Sequence, residues 1–191
     1  IHFVGLVNGL SKSTRISGNV SVGIVTASGG PANTMISFEN LLITTSSGSS
    51  IMEVSGDIGC SVLLKDSYLF TSSSTAKCFV TNNTSNTGVK VRIKNVILQN
   101  QSSSGVTLDL SNTYFAHIDS LTIYGGTGTS MNIETTDAVV YNSTFENVGV
   151  STVINATSSF TAGKPALVLG NATITNVTAN ASGIDIAAGA I

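Results

Sequence analysis

Arg92, Lys94, His117, Asp119 and Tyr141 are the residues of this chain whose types could do chemistry together. Twenty-five residues separate Arg92 from His117 and Lys94 from Asp119, and 22 separate Asp119 from Tyr141. Two cations side by side would bind an acidic sugar, and an imidazole beside a carboxylate suits general acid–base work. The plainer reading is a solvated face on which Glu39 pairs with Lys65 and Lys94 with Asp119, and the sequence favours it. Glycoside hydrolysis needs two carboxylates about 5–10 Å apart, whereas Asp119 has Glu39 only three repeats away. Calcium-dependent cleavage needs several acids converging on one hard cation. Glu53, Asp109, Glu134 and Asp185 instead fall one per repeat, which reads as a solvated face. His2 and His117 are the only imidazoles, and no nucleophile triad, phosphate loop, dinucleotide or zinc spacing is present. The sequence therefore assigns no metal and no cofactor, and the five residues remain an alternative catalytic or sugar-binding set.

Those five residues fall into register because of an eight-residue frame, seen in Val91 to Leu98 and repeated over 36–43, 62–69, 116–123, 138–145 and 167–174. Positions one, three and eight are apolar throughout, and position six is apolar or small. A strand buries alternate residues, so a burial signal that jumps from three to six requires a bend at five. Position five reads Asn40, Asp66, Asn95, Ser120, Asn142 and Asn171. These are residue types that tolerate left-handed backbone or bond their own main chain. The corners recur at 26, 29, 25, 22 and 29 residues, the interval of a solenoid. Third strands fill the gaps at 51–54, 78–80, 106–110, 131–134, 153–154 and 184–186.

Three short strands per coil, a polar corner ladder and parallel crossovers, which are overwhelmingly right-handed, define the expected architecture. It is all-β, a right-handed parallel β-helix of about seven coils of 22–29 residues. Over residues 15 to 190 the chain resembles the pectate-lyase-like β-helix superfamily, whose coils carry an Asn ladder at one tight turn. The resemblance implies fold and leaves function open, since such coils serve lyases, hydrolases, tailspikes, adhesins and capsid decorations. None of that family's catalytic residues can be carried to a position here. The sequence reads as a single domain over 1–191, with irregular first coils in 1–30 and regular coils in 31–191. Strand-like ends, Ile1 to Val4 and Ile184 to Ile191, are read as cut from a longer solenoid.

Charged residues make up 9% of the chain, far below the norm of about 25%, and Ser, Thr, Asn and Gly fill the loops. A net charge of −2 and a pI near 5.5 argue against a nucleic-acid binder, which would normally show a basic face and a high pI. Apolar runs such as Ala166 to Leu169 are too short to span a bilayer. Cys60 and Cys78 read as buried thiols, with a disulfide left open. Of nine N-glycosylation sequons, those at Asn82, Asn83 and Asn100 are the expected acceptors, because the corner residues Asn142 and Asn171 should be engaged in the ladder. Outward apolar residues Leu42, Tyr68 and Ile97, joined by Leu63, form a stripe of the kind that marks an interface. The expected function is a non-enzymatic structural or attachment protein, part of a virion surface, fibre or capsid, or of a cell surface. A homo-oligomer, a trimer for instance, or docking onto a larger assembly would use the stripe. The alternatives are a polysaccharide lyase or hydrolase, or a glycan-binding adhesin, acting through Arg92, Lys94, His117 and Asp119.

Overall fold

The computed structural model describes residues 2–4, 7–8, 11–12, 14–17, 20–24, 35–56, 60–81, 89–101, 105–126, 128–146, 152–156, 167–175 and 182–186. Every element in them is a β-strand. Apart from one short hairpin, all pairings are parallel and run through a single stacked assembly of 17 strands. The chain is a parallel β-solenoid. About four turns, 35–56, 60–81, 89–110 and 116–133, are traced almost without interruption, against the seven expected. Strands before and after them continue the same three ladders.

The predicted frame and the register coincide. Ile36 stands beside Val62, Val62 beside Val91, Val91 beside Ala116 and Ala116 beside Ala138. Asn40, Asp66, Asn95, Ser120, Asn142 and Asn171 have φ between 49° and 60°, the left-handed region. At each of these corners one residue turns the chain, so the face that was buried before it stays buried after it. Stacking persists through the bend because the corner N–H groups still donate to the next coil: Asn40 to the Lys65 carbonyl, Asp66 to Lys94 and Asn142 to Gly170, at 3.0–3.2 Å. Ser67, at position six, is fully buried and satisfied. Its hydroxyl donates to the Lys65 carbonyl at 2.7 Å and accepts from the Leu41 N–H at 3.1 Å.

Positions one, three, six and eight, together with alternate third-strand residues, supply the interior. Leu64, Leu69, Ile93, Leu98, Leu108, Leu110, Ile118 and Phe145 are all fully buried. Each such side chain contributes roughly 1.5–3 kcal/mol relative to exposure. The same column continues more loosely through Leu167, Leu169 and Ile174, which are only partly buried.

The repeat also reaches into residues 1–30, by a route the eight-residue frame cannot detect. Phe3 is in register with Phe38 and Ile16 with Ile43. Between them, where other coils spend one corner residue, Val7–Asn8 pairs antiparallel with Ser11–Lys12. Arg15 is thereby aligned with Leu42, at position seven, not with an interior position. The third strand Val20–Ile24 then joins Met52–Gly56.

The left-handed corner makes a direct prediction. Asn95→Gly keeps a backbone that favours this φ and loses only the amide, whereas Asn95→Val forces a β-branched residue into it. Urea unfolding should place the Val variant below the Gly variant by about 1–2 kcal/mol. Equal midpoints would mean that the corner does not select for left-handed backbone.

Candidate functional site

The outward residues of the first strands build an open groove of about 240 Å³ lined by Met35, Leu63, Arg92, Ile93, Lys94, His117 and Asp119. Four of the five residues singled out by spacing thus meet on one surface. Strand alternation places them there, since Val91 and Ile93 point inward while Lys90, Arg92 and Lys94 point outward. Arg92 is in register with His117, and Lys94 with Asp119. The His117 ring packs edge-on to Phe115, with centroids 6.4 Å apart. Tyr141 lies one coil beyond Asp119 in the same row, outside the groove lining. It is 40% exposed. Its ring lies against Gly170, where an added Cβ would come within 2.4 Å of ring carbons.

The expected ion pairs are half present. Lys65 bonds Glu39 at 3.6 Å and also Asp66 at 3.5 Å. Asp119, however, is not directly paired with Lys94. Its carboxylate accepts from the Asn142 amide at 2.9 Å and from the Ser120 hydroxyl at 3.1 Å. The cause lies at the corner. Asn95 reaches Asp66 at 2.6 Å and Asn171 reaches Asn142 at 2.7 Å, but the short Ser120 side chain cannot carry the ladder onward. Asn142 therefore bonds the preceding Asp119. The Asn142 hydrogen bond, then that of Ser120, with the charges of Lys94 and His117 adding, hold the Asp119 carboxyl below the usual carboxylate range.

A second amide column went unread in the sequence. The acids of the third strands were expected one per coil, but Glu134 is in register with Ser111, and it is Asn132 that stands beside Asp109. Asn132 donates to Asp109 at 3.0 Å, and Asn155 donates to Asn132 at 2.9 Å. Ser111 and Lys77 reach the same carboxylate at 2.6 and 2.5 Å. The signal was present in the triplets Leu108-Asp109-Leu110, Met131-Asn132-Ile133, Ile154-Asn155-Ala156 and Ile184-Asp185-Ile186, each an Asx between apolar residues. No group of three or more His, Cys, Asp or Glu suited to a metal ion occurs among the described residues.

Leu42, Tyr68 and Ile97 are stacked on consecutive coils of the second strands. Leu42 and Tyr68 are half-buried and Ile97 is 43% exposed. The Tyr68 hydroxyl donates to Gln99. Leu63 is not part of this row: it lies across the Asp66 corner, in the groove. Cys60 and Cys78 are free and buried, and burial pushes the Cys78 thiol far up. Asn100 is not a free acceptor for glycan, because it is fully buried and its amide donates to the Ala76 carbonyl at 3.2 Å. Asn82 and Asn83 lie outside the described residues. The expected engagement of Asn142 and Asn171 is observed. Among the described residues no helix is long and apolar enough to cross a membrane.

Burial alone would raise the Asp109 carboxyl, but hydrogen bonds from Lys77, Ser111 and Asn132, with the Lys77 charge, outweigh it and lower it. A depressed folded-state pKa gives stability that is fully present above the ordinary value of about 3.9 and lost as pH falls through the folded one. Thermal unfolding followed from pH 6 to pH 2 should show wild type losing stability below about pH 4. Asp109→Asn should start lower and lose less over that window; parallel curves would contradict the assignment.

Comparisons with family models, with curated proteins and with solved structures found no match to this chain.

Proposed function

We propose that the chain is a non-enzymatic structural or attachment element, a rigid β-helical part of a virion surface, fibre or capsid, or of a cell surface. One observation carries the reading. The acid in the groove, Asp119, is tied down by Asn142 and Ser120 and held ionised, whereas a general acid needs its proton near working pH. Glu39, its only carboxylate partner along that row of first strands, is bound to Lys65. The face supports charge display better than bond cleavage.

The stripe of Leu42, Tyr68 and Ile97 supplies the contact. Apolar residues stacked on consecutive coils form a continuous patch, and such patches mark protein interfaces. Side-by-side packing of solenoids into a homo-oligomer, with a trimer the simplest closed form for a fibre, covers it. The pectate-lyase-like superfamily is the family to which this architecture would belong, on the strength of its corner ladder and parallel coils.

The second reading, a polysaccharide lyase or hydrolase, draws on the groove itself. Incubation with a panel of neutral and acidic polysaccharides separates the two. The expected result is no new reducing ends and no unsaturated product; turnover that disappears in Asp119→Ala would overturn the structural reading. For the stripe, sedimentation should give a mass that is a multiple of 19.5 kDa, reduced to one chain by Ile97→Lys. A wild-type monomer would remove the interface.

A further inference from the structure

The second strands carry two outward rows, and the stripe of Leu42, Tyr68 and Ile97 is only the first. Two residues further along each strand stand Thr44, Phe70, Gln99 and Tyr124, in register on four consecutive coils. Phe70 and Gln99 are half-buried and Tyr124 is 38% exposed. Coils stack at about 4.8 Å, so the two rings, two coils apart, are spaced about 10 Å along the solenoid axis with Gln99 between them. The Tyr68 hydroxyl donates to the side-chain oxygen of Gln99, which leaves the N–H groups of that amide pointing away from Tyr68. Among the described residues they meet no acceptor. Charge marks the limits of this face. Arg15 is in register with Leu42 at one end and Glu146 with Tyr124 at the other, and neither row carries a charged residue between them.

We propose that this row is a docking site for an uncharged, proline-rich segment of a partner protein, held as a polyproline II helix along the solenoid axis. Such a helix has three residues per turn and rises about 3.1 Å per residue, so it presents the same face every ~9.3 Å. That repeat matches the separation of Phe70 and Tyr124, and residues i and i+3 of the segment each rest on one ring. A β-strand brings back the same face after roughly 7 Å and misses the second ring. The polyproline II backbone makes no internal hydrogen bonds, so its carbonyls are open to a donor between the rings. The Gln99 amide supplies one. Proline-rich segments dock on aromatic-lined surfaces, and because the helix is ordered before it binds, less entropy is lost on docking. A face without charges offers nothing to an acidic or basic partner, and its hydroxyls and amide suit a neutral one.

The inference goes beyond the attachment reading by naming a partner for this face, and its failure leaves that reading standing. The test is calorimetry with a capped nine-residue peptide of three Ala-Pro-Pro repeats, set against a capped peptide of three Ala-Gly-Ser repeats and against a neutral oligosaccharide. Saturable binding of the proline peptide alone is expected. A single Ala-Pro-Pro repeat cannot reach both rings and should bind more weakly. Tyr124→Ala and Phe70→Ala should each weaken the nine-residue peptide about 2- to 10-fold, the value of one aromatic contact, whereas Tyr124→Phe should bind like wild type. Tyr124 is exposed, so the circular dichroism and thermal midpoint of Tyr124→Ala should also match wild type. A second copy packed on the stripe would reach this row as well, so the titration is repeated with Ile97→Lys; peptide binding there upholds the site whatever the mass of the wild-type assembly. No binding of the proline peptide to either chain, equal binding of the Ala-Gly-Ser peptide, preference for the oligosaccharide, or affinity unchanged in the Phe70→Ala/Tyr124→Ala double variant would each overturn the site. Cleavage of a polysaccharide by a chain that binds the peptide would uphold the site and overturn the non-enzymatic reading instead.

Discussion

A single left-handed residue per coil governs this molecule. Side chains on a strand alternate, so an ordinary bend would send the next segment's apolar residues outward. A corner at φ near 50–60° resets the phase, and positions six and eight return to the interior. The penalty of roughly 1–2 kcal/mol for a non-glycine residue in that conformation is offset by Asn and Asp side chains that bond one another between coils. The corner is thus both the strained point of each turn and the point that fixes its register with the next.

The layout of the surface follows from that register. Because coils stack residue on residue, an outward row on one strand ladder holds one side chain from each coil, and chemistry is read along the axis more than along the chain. The groove arises where Arg92, Lys94, His117 and Asp119 come into adjacent rows beside Met35 and Leu63. The corner ladder then decides the groove's electrostatics. The Ser120 hydroxyl is too short to hand the ladder on, Asn142 bonds Asp119 in its place, and Asp119 makes no direct ion pair with Lys94.

The sequence disclosed the fold through its irregularity more than through its regularity. The jump of apolar residues from position three to six located all six corners and the interior they enclose, and it placed Arg92, Lys94, His117 and Asp119 on one face. It could not reveal the first coil, because a hairpin inserted at the corner separates Phe3 from Ile16 and breaks any fixed-length frame. The third-strand amide column was hidden by reading acids alone, when the repeating unit was an Asx flanked by apolar residues. The assignment of Leu63 to the stripe failed because a corner separates two residues that are close in sequence but lie on different faces. The resting of Tyr141 on Gly170 depends on a ring orientation that no pattern of residue types specifies.

The vertical stacking of corners is open to a covalent ruler. Neighbouring corners should be about 4.8 Å apart, within the 4.4–6.8 Å between Cα atoms that a disulfide spans. Corners two coils apart should lie beyond its reach. Oxidation of Asp66→Cys/Asn95→Cys, mapped by peptide mass, should give a cross-link between those two positions in the folded chain, and Asp66→Cys/Ser120→Cys should give none. A link in the second pair, or its absence in the first, would contradict a solenoid built on stacked left-handed corners.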